Sequence, residues 1–114
     1  KKVVHRNINL KNIYINSELS VKVCNFEDAY IKGQESPIEF LGELPFIAPD
    51  LKSSGYHEKS DEWNCGVVMY MLLTGESPFK NQNEEEIKEI TDIASYLREI
   101  EKYNSLSLQA RYII

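Results

Sequence analysis

Between His5 and Asn12 the chain reads HRNINLKN, which puts an imidazole, a guanidinium and three carboxamides (Asn7, Asn9 and Asn12) into one short polar stretch. A second polar group closes the segment VKVCNFED, where Asn25, Glu27 and Asp28 follow an apolar run. A carboxamide donates and accepts hydrogen bonds but has no useful basicity, so none of the three can act as a general base. Carboxamides offer neutral oxygen, whereas Glu27 and Asp28 carry carboxylates. No CxxC or paired-histidine spacing suggests a zinc site, and His5 and His57 are isolated in sequence. The two cysteines, Cys24 and Cys65, suit a reducing cytosolic setting better than a disulfide framework.

These residues need elements to hold them. Val3-Val4 reads as a short buried β segment. Asn12 to Ile15 and Ser20 to Val23 alternate apolar and polar residues across a polar connection, the pattern of a β-hairpin. From Cys24 to Leu51 the pattern dissolves, punctuated by Gly33, Pro37, Gly42, Pro45 and Pro49. Ser60 is placed to cap a helix, with Asp61 and Glu62 at its positive end. Trp63 to Leu73 is apolar nearly all round, so this helix belongs in the centre of a domain, and Thr74-Gly75 ends it. Asn83 with Glu86 forms a capping box, and Ile87, Ile90, Ile93, Leu97 and Ile100 recur at helical spacing over one amphipathic helix or two in succession. Ser105 to Ile114 begins a further helix.

The bulk numbers fit one small domain: 114 residues, 42% hydrophobic and 27% charged. A net charge of -5 argues against nucleic acid and against a basic membrane-surface patch. No apolar run approaches the roughly 20 residues of a membrane span, and the first residues carry no leader pattern. The expected setting is cytoplasmic, with neither nucleic acid nor membrane as partner.

Four stretches, in order, now carry a resemblance. HRNINLKN resembles the catalytic loop H-R-D-L-x-x-x-N of protein kinases, with Asn7 in place of Asp. VKVCNFED resembles the strand leading into D-F-G, with Asn25 for Asp and Glu27 for Gly. LGELPFIAPDL (Leu41 to Leu51) resembles the segment ending in A-P-E, with Asp50 for Glu, and Ser60 to Phe79 is similar to the central helix of the C-lobe and the loop after it. The flavour is that of the calcium/calmodulin-dependent and calcium-dependent Ser/Thr kinases. The match is firm from Val3 to Phe79 and looser from Asn83 to Ile114. The Gly-rich loop, the V-A-I-K lysine and its partner glutamate are absent, and no EF-hand pattern is present. The resemblance implies a mainly α fold with a small β-hairpin: residues 1–114 as a partial protein-kinase C-lobe, from the catalytic loop to the start of the penultimate helices, without the N-lobe.

The resemblance also assigns roles. Position 7 is that of the catalytic base and position 9 that of the lysine on the transferred phosphate, so neither survives in Asn7 and Asn9. The Thr that bonds to both is Glu43, and these three positions are expected to touch. Asn12 and Asn25 are the metal-ligand positions, weak if used at all, so no cofactor is expected and Mg-ATP binding is weak or absent. Glu27, replacing a flexible Gly, is expected to lock its loop. The remaining residues have structural or regulatory roles. His5 packs beneath the loop, Asp61 holds its backbone, Arg6 forms a constitutive ion pair with Glu39, and Asp50 lacks its arginine within this chain. Ser36, Tyr30, Trp63 and Phe79 read as surface or core, and the Ile87–Ile100 stripe as packing on its own lobe. The reading is a pseudokinase fragment acting as a scaffold or allosteric partner, with protein partners and self-association expected. One alternative is an active ATP-dependent Ser/Thr kinase with a metal site rebuilt on Glu27 or Asp28. The other is a free-standing helical protein-interaction module.

Overall fold

The computed structural model describes residues 2–34, 43–51, 55–90 and 92–114. Within them the architecture is mixed α/β: small antiparallel sheets in the first third and helices from Glu58 onward. The polar loop lies between two strand pairs. Strand β1 (Val3–Val4) enters it, a 3-10 turn (Leu10–Asn12) leaves it, and β2 (Ile13–Ile15) follows. Strand β3 (Val21–Val23) pairs with β2 in register Ile13–Val23, Tyr14–Lys22 and Ile15–Val21. Asn16 makes the hairpin connection: its Oδ1 accepts from the Glu18 and Ser20 amides at 3.0 and 2.8 Å. Strand β4 (Tyr30–Ile31) returns to β1, with Val3 opposite Ile31 and Val4 opposite Tyr30.

The second sheet corrects the single-hairpin expectation. Its strand β4 lies inside the stretch from Cys24 to Leu51 read as irregular, because a two-residue strand is too short to show periodicity. Its Val4 is buried as expected, but Val3 is half exposed.

Helix α1 runs from Glu58 to Thr74. Its cap is His57 rather than Ser60: the His57 Nδ1 accepts from the Lys59 amide at 3.1 Å, and Ser60 Oγ returns the box by accepting from the His57 amide at 3.3 Å. Ser60 thus sits one turn inside the helix. Gly75 ends it in the left-handed conformation, at φ 78°, with its amide on the Met71 carbonyl. Helices α2 (Glu84–Glu89), α3 (Ile93–Arg98), α4 (Glu101–Asn104) and α5 (Leu108–Ile113) follow. The Asn83–Glu86 capping box is formed, and the isoleucine stripe divides into two helices at Ile90.

The core lies where that stripe meets α1. Val67, Phe79 and Ile87 are buried together, with Phe46, Trp63, Met71, Ile90, Ile93 and Tyr96 against them. Trp63 and Tyr96 stack on the two sides of Phe79, at 5.7 and 5.5 Å between ring centroids. The apolar wrap of α1 is only partly used: Val67, Val68 and Tyr70 are buried, while Leu72 and Leu73 are exposed. The β2–β3 hairpin is also open, with Tyr14, Ile15, Val21 and Val23 all exposed. Among the described residues no helix is long and apolar enough to cross a membrane.

Candidate functional site

The polar loop is fixed first at its backbone. Asp61, in the first turn of α1, accepts from the His5 amide at 2.7 Å and from the Arg6 amide at 2.9 Å, one bond to each carboxylate oxygen. Charge-assisted bonds of this kind hold well under partial burial. They oppose a local cost, since Arg6 sits at φ 71°, a region that favours glycine.

His5 is buried, and its two ring nitrogens have separate duties. Nδ1 accepts from the Asn7 amide at 3.2 Å, so the proton lies on Nε2, which donates to the Cys24 carbonyl at 2.9 Å. The ring also meets the edge of Phe26 at 4.6 Å. His5 therefore joins the loop to the end of β3, a junction repeated where the Cys24 amide donates to the Asn12 carbonyl at 2.9 Å.

Arg6 is buried as well. Its guanidinium lies 4.3 Å from the centroid of the Tyr56 ring and donates to the Asp28 carbonyl at 3.0 Å. Tyr56 in turn accepts at its carbonyl from the Tyr30 hydroxyl. Glu39, named as the partner of Arg6, and Ser36 lie outside the described residues.

Past Arg6 the loop is a network of carboxamides. Asn9 Oδ1 caps the 3-10 turn by accepting from the Lys11 amide at 2.9 Å. Its Nδ2 donates to Asn7 Oδ1 at 2.7 Å, and Asn12 Nδ2 donates to the Asn7 carbonyl at 2.8 Å. Asn25 Nδ2 reaches Asn12 Oδ1 at 3.5 Å, and Asn7 Nδ2 reaches Asp28 Oδ2 at 3.4 Å. Asn7, Asn9, Asn12 and Asn25 are thus brought together. Glu43 is not: its carboxylate pairs with Lys11 Nζ on exposed surface, so the expected contact among positions 7, 9 and 43 is not made.

The acids beside the site divide. Asp28 is half-buried and faces Asn7, while Glu27 is exposed, with no hydrogen bond to its carboxylate among the described residues. The left-handed position in this segment is Asn25, at φ 64°, and not Glu27. Asparagine tolerates that conformation better than most residues, and Glu27 is not in the left-handed region, so it carries no backbone strain of that kind. Asp50, expected to lack a partner, lies with Oδ2 3.4 Å from His57 Nε2. That partner was missed because a histidine helix cap has no strong sequence signature. Tyr56 beneath Arg6 was missed for another reason: nothing links residues so far apart until the chain folds.

Charge at the foot of α1 is ordered. The hydrogen bond from the Lys32 ammonium, followed by that of its own backbone amide, draws Glu58 down from 4.5 to about 2. Among the described residues, Asp28 is the one acid within hydrogen-bond reach of the carboxamides, and no set of three or more His, Cys, Asp or Glu converges as a metal site. The donor set, two neutral carbonyls and one engaged carboxylate, fits a hard divalent cation poorly.

The chain matches the family model described as "Protein kinase domain" over residues 1–114. It is 35% identical over 99 residues, 83% of its length, to a probable cell cycle serine/threonine-protein kinase CDC5 homolog of Encephalitozoon cuniculi, of which it spans 21%. It is 29% identical over 117 aligned positions, 98% of its length, to calcium-dependent protein kinase 4 of Plasmodium falciparum, of which it spans 22%. A mitogen-activated protein kinase kinase kinase, dlk-1 of Caenorhabditis elegans, is 35% identical over 83 residues, 70% of this chain and 9% of that protein.

Proposed function

Because the chain belongs to the protein kinase domain family, we propose that it is the C-lobe part of a kinase-like domain that keeps the fold of its catalytic loop but not the chemistry, and that its parent works in the cytoplasm as a scaffold or allosteric partner of other proteins. The observation that carries this reading is the carboxamide network. Asn7, Asn9 and Asn25 stand where the family uses a base, a cation and a metal-binding carboxylate; Asn9 bonds to Asn7, and Asn25 reaches Asn12. Loss of a positioned base alone removes about 10²–10⁴ in rate. The exposed apolar residues of β2–β3 and of α1 support a role in protein contacts. The alignment covering 98% of the chain supports a place near the calcium-dependent kinases.

One observation favours a second reading. The Asp28 carboxylate, 3.4 Å from Asn7 Nδ2, is near enough to the loop to serve a rebuilt, active site. Calorimetric titration of the intact parent with ATP, with and without Mg²⁺, separates the two. Absent binding, or binding indifferent to Mg²⁺, is expected of the inactive domain. Binding that requires Mg²⁺, with phosphate transfer above that of an Asp28→Asn control, would establish the active enzyme instead.

A further inference from the structure

Helix α1 starts on an unusual cap. Histidine is not among the residues that favour this place, and His57 can fill it only because a neutral imidazole keeps one ring nitrogen free to accept. Nδ1 accepts from the Lys59 amide at 3.1 Å, so the ring proton belongs on Nε2, and that nitrogen lies 3.4 Å from Asp50 Oδ2. A carboxylate on that side favours the proton there and turns the lone pair of Nδ1 toward the helix. Asp50 stands on anchored chain: Ala48 before it and Leu51 after it are both buried, and the Leu51 amide donates to the Ala48 carbonyl at 3.1 Å.

One helical turn past this cap is Asp61, whose two oxygens take the His5 and Arg6 amides. The place where α1 begins therefore decides where that carboxylate stands. We propose that Asp50 and His57 are positioning residues of the polar loop: Asp50 orients the His57 ring, the ring caps α1, and the capped first turn holds Asp61 against the His5 and Arg6 amides. The Lys32–Glu58 pair steadies the same turn from beside β4, so loss of the cap loosens the turn without unfolding the helix. The relay ties the segment that ends in Asp50 to the path of the loop. It concerns the loop's shape, and holds whether or not the parent transfers phosphate.

The test is amide hydrogen exchange of the intact parent, joined to nitrogen NMR of its imidazoles under alkaline conditions that leave the rings neutral. In the wild type His57 carries its proton on Nε2, a readout that needs no variant to fold; the signal is assigned by its loss in His57→Asn. In His57→Ala the exchange of the Lys59 amide rises about fivefold, and that of His5 and Arg6 rises with it. His57→Asn supplies a side-chain oxygen to the same amide and restores the protection of all three. Asp50→Ala raises exchange at these amides in the wild type but adds nothing in the His57→Asn background, a dependence that a merely local role for Asp50 would not produce. A proton on Nδ1, an Asp50→Ala effect of equal size in both backgrounds, or His5 and Arg6 amides that stay protected while Lys59 opens would overturn the relay.

Discussion

The two halves of the polar loop are built differently. At His5 and Arg6 the chain is held by an anion, Asp61, through two backbone bonds, and by buried side chains that each reach a different element. From Asn7 to Asn12 it is held by neutral amides that mostly bond to their own neighbours. The first half joins the loop to the fold, and the second half keeps the loop's path. Path and chemistry are thus separable: a loop can follow its course with amides in place of charges, because hydrogen bonds guide the backbone, while proton and phosphate chemistry needs basicity and charge.

The largest effect is expected where both halves depend on the core. Phe79→Ala removes the ring between Trp63 and Tyr96 and should cost about 3–5 kcal/mol in chemical denaturation. Protection of His5 and of Asn12 should then fall together; a loss confined to one of them would mean that the halves are supported separately. Asp61→Ala leaves the His5 and Arg6 amides without their acceptor and should cost about 2–4 kcal/mol. Its effect on hydrogen exchange should centre on residues 5 and 6, which is the sharpest distinction between the two halves. Asn9→Ala removes the cap of the 3-10 turn and the donor that orients Asn7, for about 1 kcal/mol. The exchange of Lys11 and Asn12 should rise while that of His5 stays unchanged.

The smallest effect is one of pH. The carboxyl of Glu58 is held down to about 2 by the Lys32 hydrogen bond, against an ordinary value of 4.5. A depressed carboxylate stabilises the fold fully above 4.5 and loses that contribution as pH falls toward 2. The thermal midpoint of the wild type should therefore drop more between pH 5 and pH 2.5 than that of Glu58→Gln, by a small margin because the pair is exposed.

Much of this was legible in the residues. The hairpin, the central helix with its Gly75 stop and the Asn83–Glu86 box are local: each is set by alternation, by a left-handed glycine or by a side chain three positions from its amide. Of the stripe from Ile87 to Ile100, Ile87, Ile90 and Ile93 pack with Val67 and Phe79 in the core. What was misplaced was non-local or short. Strand β4 needs β1 to exist, and the helix start at His57 depends on a cap that few sequences use. That Asp50 and His57 meet is set only in the folded chain.

The sequence by itself determined which charges and basicity these side chains can supply, since both are properties of the residue: Asn7, Asn9 and Asn25 are neutral wherever they lie. Only the tertiary structure decided what those amides do instead. Asn7 and Asp28 are 21 residues apart in sequence yet meet at 3.4 Å, and Arg6 rests on Tyr56 from across the chain. Contacts of that range come from how β1, β4 and α1 converge, and no spacing within a short stretch encodes them.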